Sequence, residues 1–160
     1  MRVAVQGIGF ALALLADAST LFTLPVVGGR PLLFVALANC FAIRANALTG
    51  GTCGFLGVLA LGLLFADQRI GAMALGGLLA GSLPGVLRRV LFLHRWTGQI
   101  AVGFAGGLLY DGTLLGVMAL HGDLAAPAGA LIRGVLLDGA LTGAVVPLML
   151  RGVGRVEREV

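Results

Sequence analysis

Residues 54–89, GFLGVLALGLLFADQRIGAMALGGLLAGSLPGVLRR, decide the fold. They form two long apolar runs separated by Asp67, Gln68 and Arg69 and closed by Arg88 and Arg89. A helix needs about 20 predominantly apolar residues to cross the hydrocarbon core of a bilayer, and backbone in lipid must satisfy its own hydrogen bonds. Both runs meet that length, the first once the apolar residues before Gly54 are included. The stretch therefore predicts a transmembrane helical hairpin with a tight polar turn. The turn has no net charge, whereas the far end carries Arg88, Arg89 and then Arg95. Basic residues accumulate on the cytoplasmic side, which puts the turn outside and the arginines inside.

Composition extends this reading to the whole chain. Of 160 residues, 59% are hydrophobic and 11% charged, with a mean hydropathy of +1.05; soluble domains carry about 25% charged residues. The expected class is an all-α integral membrane protein in one compact bundle, with almost nothing left for a soluble domain. All basic residues are arginines, and the net charge of +4 is read as topology signal and lipid-headgroup contact rather than nucleic-acid binding. Cys40 and Cys53 lie in or at the start of apolar runs and read as buried free thiols, with no metal spacing or disulfide framework around them.

Working outward, the expected spans are 3–22, 31–46, 48–66, 70–87, 99–120 and 124–150, followed by a charged tail, 151–160, disordered or lying at the interface; the second is short, its apolar run reaching only Ile43, and is read as tilted, partly re-entrant or extended past Arg44 by Ala45 to Leu48. The first run is broken by Gln6 and Asp17; Ala16, Asp17 and Ala18 imitate a signal-peptide cleavage site, but the run is retained as a span. Pro25, Gly28, Gly29 and Pro31 mark an outer turn. The last run contains Pro127, Arg133, Asp138 and Pro147 and suits one tilted, kinked helix. Six spans with both termini cytoplasmic put Arg2, Arg44, Arg88, Arg89, Arg95, Arg151, Arg155 and Arg158 inside and only Arg30 and Arg69 outside, which the basic-residue bias favours.

Glycine supplies 27 residues, well above the usual share of about 7%. Gly77, Gly81 and Gly85, then Gly103 and Gly107, Gly112 and Gly116, and Gly139 and Gly143 recur every four residues. That spacing puts each set on one helix face, where small residues let backbones approach closely. Internal packing is the plainer expectation; the sharper one is that one such face receives a partner's helix or a second copy of the chain. Charge at membrane depth marks pairs or pathways. Asp111 and Arg133 fall at similar depth on antiparallel spans, so an ion pair is expected there, with Tyr110 as a hydrogen-bonding neighbour and Asp17 as the competing acid. Asp138 lies deeper, without an obvious partner.

Enzymatic patterns fail. Asp111-Gly112 opens the motif of phosphatidyl-group transferases, but Leu115 and Gly116 stand where Ala and Arg belong. Ser82 and His94 share the inner side without the rest of a hydrolase site. There is no His-Glu-x-x-His, no phosphate loop with Lys and no metal cluster in the sequence. No catalytic residue, cofactor or metal is expected.

At Gly54-Phe55-Leu56-Gly57 through Gly62-Leu63-Leu64-Phe65-Ala66-Asp67, then Ile70-Gly71-Ala72-Met73-Ala74-Leu75 and Leu87-Arg88-Arg89, the sequence resembles the bacterial rod shape-determining protein MreD. The Pro25 and Pro31 loop, the length and the six expected spans are similar as well; Leu32 follows Pro31 where that family often has an acid. The resemblance implies a non-enzymatic scaffold of the cell-elongation machinery in the bacterial inner membrane. It binds the single-span protein MreC, links indirectly to MreB, RodA and a penicillin-binding protein, and supports side-wall peptidoglycan synthesis. Its family-motif positions here are Gly54, Phe55, Gly62, Asp67, Arg88 and Arg89. The family is also similar in fold to the substrate-binding S-components of energy-coupling-factor vitamin and metal transporters, which gives the alternative function.

Overall fold

The computed structural model describes residues 32–65, 70–88, 95–122 and 127–159. Those residues form five α-helices: α1 Leu33–Arg44, α2 Ala47–Phe65, α3 Ile70–Leu87, α4 Trp96–His121 and α5 Ala128–Glu159. Three stretches, Ile70–Leu87, Trp96–His121 and Gly129–Gly152, are long and apolar enough to cross a membrane. Leu33–Arg44 and Ala47–Leu63 are shorter apolar helices. The expected first span and the Asp67 turn lie outside the described residues.

The local signals explain most of the boundaries. Asn46 caps α2: its side-chain oxygen accepts the Thr49 backbone N–H at 2.8 Å and the Thr49 hydroxyl at 2.9 Å, the arrangement that favours Asn just before a helix. At the other end of the bundle α4 stops at Gly122, whose left-handed φ of 74° lets its N–H reach back to the Ala119 carbonyl at 3.2 Å. Only a residue without a Cβ enters that conformation freely.

Two differences from expectation concern length. The second predicted span, 31–46, is a helix of 12 residues, about 18 Å long, and so too short to cross the hydrocarbon core alone. Its burial accounts for its composition: Phe34, Val35, Ala36, Leu37, Ala38, Asn39, Cys40 and Ala42 are all buried, and a helix apolar on every side belongs inside a bundle. The final helix does not end at Leu150 but continues through Glu159, so residues 151–159 are helical, which corrects the disordered alternative for the tail and leaves the interfacial one. At 32 residues it measures about 48 Å, longer than the hydrocarbon core of about 30 Å. Pro147 lies within it and Pro84 within α3, each removing one backbone N–H from the helical ladder.

The helices pair where side chains are smallest. Against α2, α3 runs antiparallel in a register set by glycine: a Cβ added to Gly54 would land on the Gly77 carbonyl oxygen, one on Gly50 on the Gly81 carbonyl oxygen, and one on Gly85 on the Ala47 backbone. In the same way a Cβ on Gly103 would come within 2.8 Å of Gly143 Cα, and one on Gly107 within 2.7 Å of Gly139 Cα, which brings α4 and α5 together. These two hairpins enclose α1, which touches all four other helices.

The core beside α1 has two parts. Leu32, Phe34, Val35, Val58, Ala80 and Tyr110 form one cluster, and Ala36, Cys40 and Val146 form the other. Larger aliphatics lie outside: Leu48, Leu56, Leu63, Leu75, Leu79, Ile132, Leu136 and Leu148 are exposed. Small residues within and leucines without suit an apolar solvent, in which association depends on close packing instead of hydrophobic exclusion.

Candidate functional site

The polar side chains inside the bundle gather around α1. Tyr110 on α4 is 3% exposed and meets Phe34 edge-to-face, ring centroids 5.1 Å apart at 75°. This is the preferred geometry for two aromatic quadrupoles. A Cβ on Gly76 of α3 would lie 3.3 Å from the Tyr110 ring, so the absence of a side chain there gives the tyrosine its place. Asp111 follows, half-buried, and Asp138 is half-buried on α5.

Arg133 is exposed, and among the described residues no ion pair joins it to Asp111. The expected Asp111 to Arg133 pair is therefore corrected. Equal depth on neighbouring helices does not fix azimuth, and Arg133 faces out of the bundle. Asp17, the competing acid, lies outside the described residues.

Two interior polar residues were not anticipated. Thr142 is fully buried; its hydroxyl accepts the Leu32 N–H at 3.0 Å and donates to the Asp138 carbonyl at 2.7 Å. The start of α1 has no side-chain cap of its own, so a residue 110 positions away supplies one. Cys40 reinforces the same contact, its Sγ lying 3.7 Å from the Val146 carbonyl. Asn39 is the second. It is 0% exposed, and among the described residues neither side-chain amide atom has a hydrogen-bond partner. A Cβ on Gly106 would lie 2.7 Å from its Nδ2 and 3.5 Å from the Ala80 carbonyl oxygen. Pro84 has no N–H for that Ala80 carbonyl, four residues before it. Asn39 appears in the sequence as one polar residue in an apolar run, a signal to be followed because buried amides usually find partners.

The glycine faces separate into two kinds. Gly77, Gly81, Gly85, Gly103, Gly107, Gly139 and Gly143 all serve packing within the chain. Gly112 and Gly116 do not, among the described residues: both are exposed, and a Cβ at either would meet nothing there within 4 Å. The Gly50 and Gly54 face on α2, also spaced by four residues but not among the expected faces, is the partner of Gly81 and Gly77. Of the motif positions, Gly54 and Gly62 are buried, Phe55 is half-buried and Arg88 is exposed. Gly62 abuts Ile70, its added Cβ falling 2.8 Å from Ile70 Cγ1. Asp67 and Arg89 lie outside the described residues.

At one end of the bundle the arginines converge. Arg44 Nη2 donates to the Leu150 carbonyl at 3.1 Å, Arg88 Nη1 makes a long bond of 3.4 Å to the Ala45 carbonyl, and the Arg151 guanidinium stacks 3.9 Å above the Trp96 ring. Among the described residues no three of His, Cys, Asp and Glu come close enough to share a metal ion.

The fold and these groups define the class: an all-helical protein, three of whose helices are long and apolar enough to cross a membrane, packed through glycine faces with a few polar side chains around a central short helix. No family model, curated protein or solved structure matches the chain.

Proposed function

We propose that the protein is a non-enzymatic membrane scaffold of the MreD type, holding the transmembrane helix of MreC in the bacterial inner membrane for the cell-elongation machinery. In this reading the bundle has six spans, the first being residues 3–22, with both termini cytoplasmic. The observation that carries it is where the resembling residues fall: on a single antiparallel hairpin, with Gly54 against Gly77, Gly62 against Ile70 and Arg88 at its base. A rigid hairpin of this kind suits a docking platform.

The partner face is narrowed by the glycine contacts. With Gly77 and Gly81 occupied by α2, the open small-residue face on the outer half of α4, Gly112 and Gly116, is the one a partner helix approaches. Small residues at that spacing permit close backbone contact in lipid. Co-purification of the full chain with MreC of the same organism from membranes, and loss of that complex in Gly112→Leu and Gly116→Leu variants that remain folded, is the expected outcome. A complex that survives both substitutions removes α4 as the docking face, and no complex with the unmodified chain removes the scaffold reading.

The S-component alternative draws on one observation, the buried amide of Asn39, a polar group of the kind a captured small molecule bonds. Saturable vitamin binding by the purified chain, abolished by Asn39→Leu, would put that reading first.

A further inference from the structure

We infer that the junction of α1, α3 and α4 holds one buried water molecule, bonded to the Asn39 amide and to the Ala80 carbonyl. The inference is independent of the scaffold reading.

Two observations from different helices meet at this junction. Asn39 lies on α1, 0% exposed, and among the described residues neither its Oδ1 nor its Nδ2 has a hydrogen-bond partner. Pro84 lies inside α3 and is itself fully buried. Its ring nitrogen carries no hydrogen, so the Ala80 carbonyl receives no bond from the residue four places on. Ala80 is 0% exposed as well, and solvent outside the bundle reaches neither group. Gly106 on α4 is where they converge. A Cβ on it would lie 2.7 Å from Asn39 Nδ2, 3.4 Å from Asn39 Oδ1 and 3.5 Å from the Ala80 oxygen. Three polar atoms from two helices thus surround the place that a side chain on Gly106 would fill.

A direct bond from Asn39 to Ala80 would be the simplest closure, but Nδ2 bonds to no acceptor among the described residues. One water serves all three groups at once. It accepts from Nδ2, donates one hydrogen to Oδ1 along the same edge of the amide and donates the other to the Ala80 carbonyl, about the three bonds that a buried water usually makes. Ordered water is one of the means by which a carbonyl freed by proline is satisfied inside a membrane bundle, and a buried amide left unbonded is destabilising. Enclosure and donor set fix the class of ligand. With Asn39 and Ala80 both sealed from the surface, a larger solute enters only if the helices part. A hard metal ion would need about six oxygens, and these groups offer two. The water makes Asn39 a polar pin that joins α1 to α3 at its proline.

Asn39 and Asn46 are the asparagines of the chain, so isotope-labelling asparagine side chains alone gives one NH2 signal from each. Asn46→Ser keeps a capping oxygen, removes one signal and assigns the other. The full chain in detergent micelles is then tested for cross-relaxation between the Asn39 NH2 protons and water. A held water gives NOE and ROE cross-peaks of opposite sign, whereas proton exchange gives the same sign in both. Opposite signs are expected at Asn39 and not at Asn46, which is exposed. Pro84→Ala returns a helical N–H to the Ala80 carbonyl and should weaken the Asn39 cross-peak about fivefold, the net worth of one hydrogen bond. Should that variant not fold, the unmodified chain alone decides. No water cross-peak at Asn39, or one that shows exchange only, overturns the inference. So does a cross-peak undiminished in folded Pro84→Ala, which assigns the water to the amide alone, or contact with a co-purified solute, which favours the S-component reading.

Discussion

Asn39 has the highest stake of any single residue. A buried amide with no partner costs about 1–3 kcal/mol, and leucine fills a similar volume without polar atoms. If its role is structural alone, Asn39→Leu should raise the melting temperature of the purified protein in detergent; a lowered value would show that the amide is engaged in the membrane. The glycines give a matched contrast. Gly54→Ala drives a Cβ into the Gly77 carbonyl and should destabilise by about 1–3 kcal/mol through overpacking. Gly112→Ala enters open space on an exposed helix surface, where alanine is favoured over glycine by about 1 kcal/mol. It should be neutral or stabilising in the same thermal assay. Glycine spacing alone made these positions equivalent; their neighbours make them opposite in sign.

At the scale of elements, α1 depends on its surroundings. Twelve residues make a marginal helix in isolation, and its N-terminus is closed by Thr142 from α5 while its C-terminal Arg44 is tied to Leu150. Thr142→Val keeps the shape and removes the hydroxyl, so it should cost about 1 kcal/mol. The loss should appear as faster amide hydrogen exchange at Leu32 and the first turn of α1, with α2 and α3 unaffected. Uniform acceleration across all helices would instead make Thr142 part of the global core. The hairpin of α2 and α3 was legible in the sequence because two apolar runs, a tight break and terminal arginines each carry a local signal. The brevity of α1 was legible too, because Arg44 cuts its apolar run short, but its interior position was not: nothing in residues 31–46 distinguishes a short interior helix from a short span, since burial by protein and burial by lipid select the same apolar residues.

For the molecule as a whole, the arginine-rich end should face the cytoplasm if the basic-residue bias holds. With Cys40 and Cys53 replaced by Ala, an Arg88→Cys probe should react with a membrane-impermeant maleimide in inverted vesicles and not in intact cells. Labelling from outside would reverse the orientation and with it the side of the proposed partner.

The sequence by itself determined the apolar, helical character of the molecule: apolar runs, scarce charge and the spacing of small residues are properties each segment carries alone, and they suit the cost of polar groups in hydrocarbon. It also determined that glycine faces would pack. Which faces met, that Arg133 turned away from Asp111, that Thr142 would cap a helix far along the chain and that Asn39 would be enclosed without a partner among the described residues were decided only by tertiary structure. The physical reason is that helical periodicity fixes a residue's height and relative azimuth within its own helix, whereas the rotation of one helix about its axis against another is set by contacts summed over the whole bundle.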